Sequence, residues 1–287
     1  MPGRSNLRLV IAIVAVLAAV AVGITAVWSV AGAFSRWNVR SVIAALHRSG
    51  PPVHTGHKVL SVPDLQRVVL AASAGDIKVS TAHVRDIRLN WSVTGKPQRA
   101  IVAHPVPGGE EIDFVPPEVR VMVGDTNLLT VTLPEGLAVT VDSDSGDIDA
   151  DGNYKALATT SDSGDLHLSD FRGQLSAQAD SGDIYVTDAV AEGPLVLRTG
   201  SGDIDFSGDP GLAANVSADS GDVVMAIRPG GLLSVDVTVD SGDVSSVFPQ
   251  IHGSPDGSEF QGRIGTGTPG TLDVTASSGD VRLQPQP

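Results

Sequence analysis

From residue 141 onward the chain alternates apolar and polar positions with a period of two, and the alternation is punctuated by Ser-Gly-Asp followed by Ile, Val or Leu. The central glycines are Gly146, Gly164, Gly182, Gly202, Gly221, Gly242 and Gly279, separated by 18 to 21 residues except for a last interval of 37. Aligned on the glycine, apolar or small residues fall seven, five and three positions before it and two and four after it. Around Gly182 these are Leu175, Ala177, Ala179, Ile184 and Val186; around Gly221 they are Ala214, Val216, Ala218, Val223 and Met225. Alternation at that period sends one side chain inward and the next outward along an extended strand. Each copy therefore reads as strand, tight turn, strand.

Twenty residues cannot bury an apolar stripe alone, so successive copies must stack and pair their backbones at about 4.8 Å. The expected fold is all-β: a single-chain parallel β-solenoid of 18 to 21 residues per turn. A propeller blade needs about twice that length, and a leucine-rich repeat would show a fixed Leu frame. An antiparallel sandwich comes second, because it has no reason to reuse one triplet in one register. The 37-residue interval suggests a degenerate copy within 246–268, and Ala74-Gly75-Asp76-Ile77 suggests that the array starts early.

Glycine fits a corner because it accepts positive φ without a Cβ clash, while Ser and Asp can bond turn amides. Five copies read Asp-Ser-Gly-Asp, which yields two columns of carboxylates: Asp144, Asp162, Asp180, Asp219 and Asp240, then Asp147, Asp165, Asp183, Asp222 and Asp243. Stacked at one strand spacing, like charges repel, so amide hydrogen bonds, solvent or a cation must offset them. These ten aspartates are candidate Ca²⁺ ligands, since a β-roll can hold calcium between turns. The fit is partial, because the paired glycines of the calcium-binding nonapeptide are missing. Turn capping is the favoured reading over specific calcium sites.

The stretch from Leu9 to Ser35 contains no charged residue, and its 27 positions exceed the ~20 that cross a bilayer as a helix. Trp28 and Trp37 fall where an interfacial aromatic belt would lie. Ala31-Gly32-Ala33 suits a cleavage site, but the apolar run is long for a signal peptide, which favours an uncleaved signal anchor. The expected organisation is a cytoplasmic tail over 1–8, a transmembrane helix over 9–34, a juxtamembrane helix and linker over 35–60, and a solenoid over 61–287. Pro- and Gly-rich composition marks 95–117 and 246–268 as irregular. Flanking arginines give a near tie for orientation; a short tail before a large polar domain places that domain outside the cytoplasm.

Charge narrows the partners. Residues 141–287 hold 24 of the 33 acids and 6 of the 19 bases, which disfavours nucleic acid. With no cysteine, the chain uses neither disulfides nor thiolate metal sites.

Leu129-Thr130-Val131-Thr132-Leu133-Pro134-Glu135-Gly136 followed by an alternating strand and Asp144-Ser145-Gly146-Asp147-Ile148 resembles a bacterial candidate-adhesin domain of unknown function. The likeness covers about residues 60–285. It implies a β-solenoid behind a membrane helix, with a surface role and no defined reaction.

Parallel β-helix enzymes that cleave envelope glycans offer the catalytic alternative, using paired carboxylates as acid and base. Against it, Lys155, Arg172, Arg198, Arg228, Arg263 and Arg282 occupy differing offsets and form no basic cleft. His54 and His57 have metal-like spacing but lie in a linker without a third ligand. His167 sits beside many serines, with no motif announcing a catalytic triad. The expectation is a membrane-anchored, extracytoplasmic, non-catalytic binding module without a cofactor, its partner an envelope protein or glycan.

Overall fold

The computed structural model describes residues 53–94, 101–114, 127–254 and 258–287. The expected tail, membrane helix and juxtamembrane helix lie outside these residues. Among those described there is no α-helix, and no helix long and apolar enough to cross a membrane.

Twenty strands make up this part. The first eight are β1 (Val53–Leu60), β2 (Arg67–Ala72), β3 (Asp76–Ala82), β4 (Ile87–Thr94), β5 (Ile101–Val106), β6 (Gly109–Phe114), β7 (Leu128–Pro134) and β8 (Ala138–Ser143). Three long strands follow, β9 (Ile148–Ser163), β10 (Leu166–Ser181) and β11 (Ile184–Ser201), each running from one corner of the stack to the next. The remainder are β12 (Ile204–Asp209), β13 (Ala213–Ser220), β14 (Val223–Ile227), β15 (Leu232–Ser241), β16 (Val244–Ser246), β17 (Ile251–Gly253), β18 (Glu259–Ile264), β19 (Pro269–Ser278) and β20 (Val281–Pro285).

Parallel pairing stacks the copies into layers, with one face before the Ser-Gly-Asp corner and one after it. Before the corner, β2, β8, the second halves of β9, β10 and β11, then β13, β19 and β15 adjoin in that order. After the corner, β3, the first halves of β9, β10 and β11, then β12, β14, β20 and β16 do the same. The layers are held in register by the alternation read from sequence. Positions seven, five and three before the glycine and two and four after it supply the buried core, including Leu175, Ala177, Ile184, Val186, Val216 and Val223. At the opposite corner the core is closed by Tyr154 stacked on Phe171, with ring centroids 6.0 Å apart.

Three expectations change. Among the described residues between Gly242 and Gly279 there is no further copy: β17 and β18 form an antiparallel pair, and β18 lies antiparallel on β15. The Gly279 layer instead enters between the Gly221 and Gly242 layers, so spatial order departs from sequence order. The other end repeats the device. Strands β6 and β7 form a layer outside β2 and β3, and the layer of β2 and β3 is thereby enclosed between it and β8 and β9.

The described stretches within 95–117 include β5 and β6, an antiparallel pair whose inner member joins the stack. Strand β1 lies within the stretch read as linker; it pairs antiparallel with β4, and β4 with β7, so Val53–Leu60 belongs to the sheet. His54 and His57 belong to this strand.

Candidate functional site: the corner column and the outward faces

The corners superpose as one column running Gly75, Gly146, Gly164, Gly182, Gly202, Gly221, Gly279, Gly242. Every one of them has φ between +95° and +153°. A Cβ on Gly182 would meet the Gly164 carbonyl oxygen at 2.2 Å, and one on Gly221 would meet that of Gly202 at 1.9 Å. Conformation and close approach together require glycine, which explains why this residue holds its place when its flanks vary.

The carboxylate beside each glycine closes the same corner. Asp147 N–H donates to Asp76 Oδ1 at 3.2 Å, Asp165 to Asp147 at 3.0 Å, Asp183 to Asp165 at 2.9 Å and Asp203 to Asp183 at 2.8 Å. Asp222 donates to Asp203, Asp280 to Asp222 and Asp243 to Asp280 at 2.8 to 2.9 Å. A ladder of eight aspartates results, each holding the amide of the next. Like charges about 4.8 Å apart in water repel by roughly 1 kcal/mol. A hydrogen bond to a charged acceptor, discounted for exposure to water, contributes about 1 kcal/mol, so the amide bonds offset the repulsion. The Asp203 amide is also the main reason the Asp183 carboxyl sits below its ordinary range, followed by the Tyr185 hydroxyl.

Among the ten calcium candidates, Asp147, Asp165, Asp183 and Asp222 have a carboxylate oxygen committed to the next layer's amide, and Asp243 ends the ladder. Asp144, Asp162, Asp180, Asp219 and Asp240 form the exposed outer column. Among the described residues, no group of three or more His, Asp or Glu side chains is arranged to hold a metal ion.

The outward faces carry two features that the corner alignment missed. Three positions after the glycine, the register places Lys78, Asp149, His167, Tyr185 and Asp205 in one line across five layers. Lys78 bonds Asp149, and His167 Nδ1 lies 3.7 Å from the same carboxylate. His167 stacks on Tyr185 with centroids 5.1 Å apart, and the Tyr185 hydroxyl donates to Asp183 at 2.7 Å. That bond, with lesser help from burial and neighbouring carboxylates, pushes the phenol up to about 12, and pairing with Asp149 likewise raises the Lys78 ammonium. A phenol so held is no base or nucleophile at neutral pH. Aligning that outward offset as well as the inward ones would have revealed the row.

The second feature is a recess of about 350 Å³ on the face before the corner. Gly200 replaces the outer aspartate of its layer and leaves a gap between Asp180 and Asp219, beside Gln178, Arg198, Asn215 and Ser217. This places one guanidinium, two carboxylates and two amides around a single depression, a donor and acceptor set suited to a hydroxyl-rich ligand.

At the far corner Asp151, exposed but partly desolvated, is raised from the ordinary carboxylate value, first by that desolvation and then by Asp170 and Asp149.

Residues 59–228 match the family described as Toastrack DUF4097, and the chain belongs to that family. Among solved structures the chain is similar to a candidate cell adhesion protein from Clostridium sporogenes, at 11% identity over 81% of this chain and 100% of that one, with a TM-score of 0.42. It is also similar to a candidate adhesin from Bacteroides fragilis, at 13% identity over 81% and 98% with a TM-score of 0.36. A candidate adhesin from Parabacteroides distasonis matches at 10% identity over 80% and 97%, with a TM-score of 0.27. No curated protein matches the chain. Layer order here rests on the chain's own pairing.

Proposed function

We propose that this chain is a non-catalytic, adhesin-like binding module of the cell envelope, held to the cell membrane by residues 9–34 with its strand stack outside the cytoplasm. The observation that carries the reading is the aspartate ladder: its recurring carboxylates are spent on turn amides, which makes them architectural. What is left for recognition is the pair of flat outward faces, where the Gly200 recess offers mixed polar groups to an envelope glycan or protein. Repeated outward Ser, Thr and Asp side chains would add weak contacts along the stack.

The test joins topology to binding. The full chain is followed by membrane fractionation and by protease treatment of intact cells. The detergent-solubilised protein is then mixed with separated glycan and protein fractions of the envelope. Retention by one fraction, reduced at least about tenfold in a combined Gln178→Ala, Arg198→Ala, Asn215→Ala variant, supports the module and its recess. Retention by neither fraction, or a chain recovered in the cytosol, removes the reading.

One observation favours a glycan-cleaving alternative: Asp151, with its carboxyl raised and Asp170 and Asp149 close enough to repel it, has the character of a general acid. Release of reducing ends from envelope glycan, abolished by Asp151→Asn, would establish it.

A further inference from the structure

Independently of what the outward faces bind, the geometry points to a peptide-binding slot between the Gly221 and Gly242 layers. Its occupant is this chain's own C-terminal layer, residues 269–285, and the same segment from a second copy can take its place.

The slot is defined by pairing on both sides. Strand β19 runs parallel between β13 and β15, aligning Ala214, Leu272 and Val235, then Val216, Val274 and Val237, then Ser220, Ser278 and Ser241. Strand β20 does the same between β14 and β16. At the corner, Gly221 N–H donates to Ser278 O at 2.9 Å, and Gly279 N–H to Ser241 O at 3.0 Å. Asp280 meets both neighbours: its amide donates to Asp222 and its carboxylate accepts from Asp243. Among the described residues the Gly221 and Gly242 layers meet only through β19 and β20, which pair with both.

Chain order makes this slot distinct from every gap in the middle of the stack. Synthesis delivers the Gly242 layer before the Gly279 layer, yet the later one lies beneath the earlier. Until residues 269–285 enter, two facing parallel edges, about two strand spacings apart, await a strand pair with one Ser-Gly-Asp corner. Buried Leu272, Val274, Ala276, Val281 and Leu283 supply the apolar half of the recognition. The main-chain bonds supply the rest, as in other cases where an extended peptide completes a sheet. The tether is short and glycine-bearing: Gly265 and Gly267 both have positive φ, and nothing lies within 4 Å of a Cβ on Gly267. Exchange between copies reproduces every contact and alters only the path of this tether, the usual condition for swapping of an element.

The experiment uses the full chain with a protease site inserted after Gly267, checked by its melting before cleavage. After cleavage the 268–287 fragment should stay bound. A fluorescent synthetic peptide of that sequence should displace it one for one on warming below the global transition. A Gly279→Val peptide should incorporate at least about a hundredfold less, because its side chain would meet the Gly221 carbonyl oxygen, 2.0 Å from a Cβ there. Collapse of the whole stack on cleavage, exclusion of the labelled peptide up to the global transition, or equal entry of the Gly279→Val peptide would each overturn the proposal. Hydrogen exchange on the unaltered chain is a second arm that needs no insertion. Amides of β19 and β20 should exchange at least about tenfold faster than those of β10 and β11, and equal protection contradicts a separable occupant.

Discussion

Layers Gly146 to Gly221 follow one another in space as they do in the chain, whereas at either end the outlying copy in the sequence lies one place in from the end of the stack. The middle is propagation: one corner, one register and one set of buried offsets, each copy resting on the last. The ends solve a different problem. A regular copy left outermost would present unpaired parallel edges to other chains, an open template for aggregation. Instead the outer partners are antiparallel: β5 on β6, β4 on β7, and β18 on β15. Among the described strands with a layer position, only the three-residue β16 lacks an outer neighbour. The repeat builds the column, and the departures from the repeat stop it.

The largest effect should separate a corner glycine from a glycine of the caps. Gly182→Val drives a side chain into the Gly164 carbonyl and should cost about 3–5 kcal/mol or prevent folding. A Cβ on Gly267 meets no atom within 4 Å, so Gly267→Val carries chiefly the penalty of positive φ and should cost about 1–2 kcal/mol. Urea denaturation measures both, and equal losses would erase the distinction between corner and cap.

A smaller effect compares a ladder rung inside the stack with its terminus. Asp183→Ala removes the acceptor for the Asp203 amide and the Tyr185 hydroxyl and should cost about 1 kcal/mol, reduced by exposure to water. Asp243→Ala at the end of the ladder should stay within about 0.5 kcal/mol. Because the folded Asp183 carboxyl is depressed, its contribution is present above the ordinary Asp value of about 4 and lost as pH falls through the folded value. Denaturation curves of the parent chain and Asp183→Ala should therefore converge in acid and diverge at neutral pH.

Asp151 has the opposite sign. A raised folded value means that the carboxylate weakens the fold once pH exceeds its ordinary range, so Asp151→Asn should lift the melting temperature at pH 7 by about 1–2 °C and have no effect in acid. Smallest of all is the response to calcium. With the inner carboxylates on amides, millimolar Ca²⁺ should move melting by less than about 1 °C relative to Mg²⁺. A rise of several degrees would instead place an ion on the outer column of Asp144, Asp162, Asp180, Asp219 and Asp240.

What sequence reveals follows the same division. Corner glycines, buried offsets and the early copy at Gly75 were legible because each depends on local conformation repeated in register. The order of layers was not. Spacing along a chain carries no information about which copy lies above which, so the 37-residue interval invited an extra copy where the structure has an antiparallel cap and an inserted layer. Strand β1 was hidden because its half-buried positions His54, Gly56, Lys58 and Leu60 do not read as an apolar stripe. In the candidate site, the ladder aspartates were visible as a motif, but their amide partners were not, since those belong to neighbouring layers. The His167 and Tyr185 row and the Gly200 recess become visible only once outward positions of different copies are set side by side.

The chain has no native cysteine, which makes the layer order directly measurable. Ser220, Ser241 and Ser278 are equivalent corner residues, and Ser278 adjoins both of the others in register. Neighbouring strands lie within disulfide reach, while residues two layers apart do not. Under mild oxidation, Ser220→Cys with Ser278→Cys should cross-link, and so should Ser241→Cys with Ser278→Cys. The pair Ser220→Cys with Ser241→Cys, consecutive in sequence, should remain reduced. Cross-linking of that last pair, with none to position 278, would contradict the inserted layer.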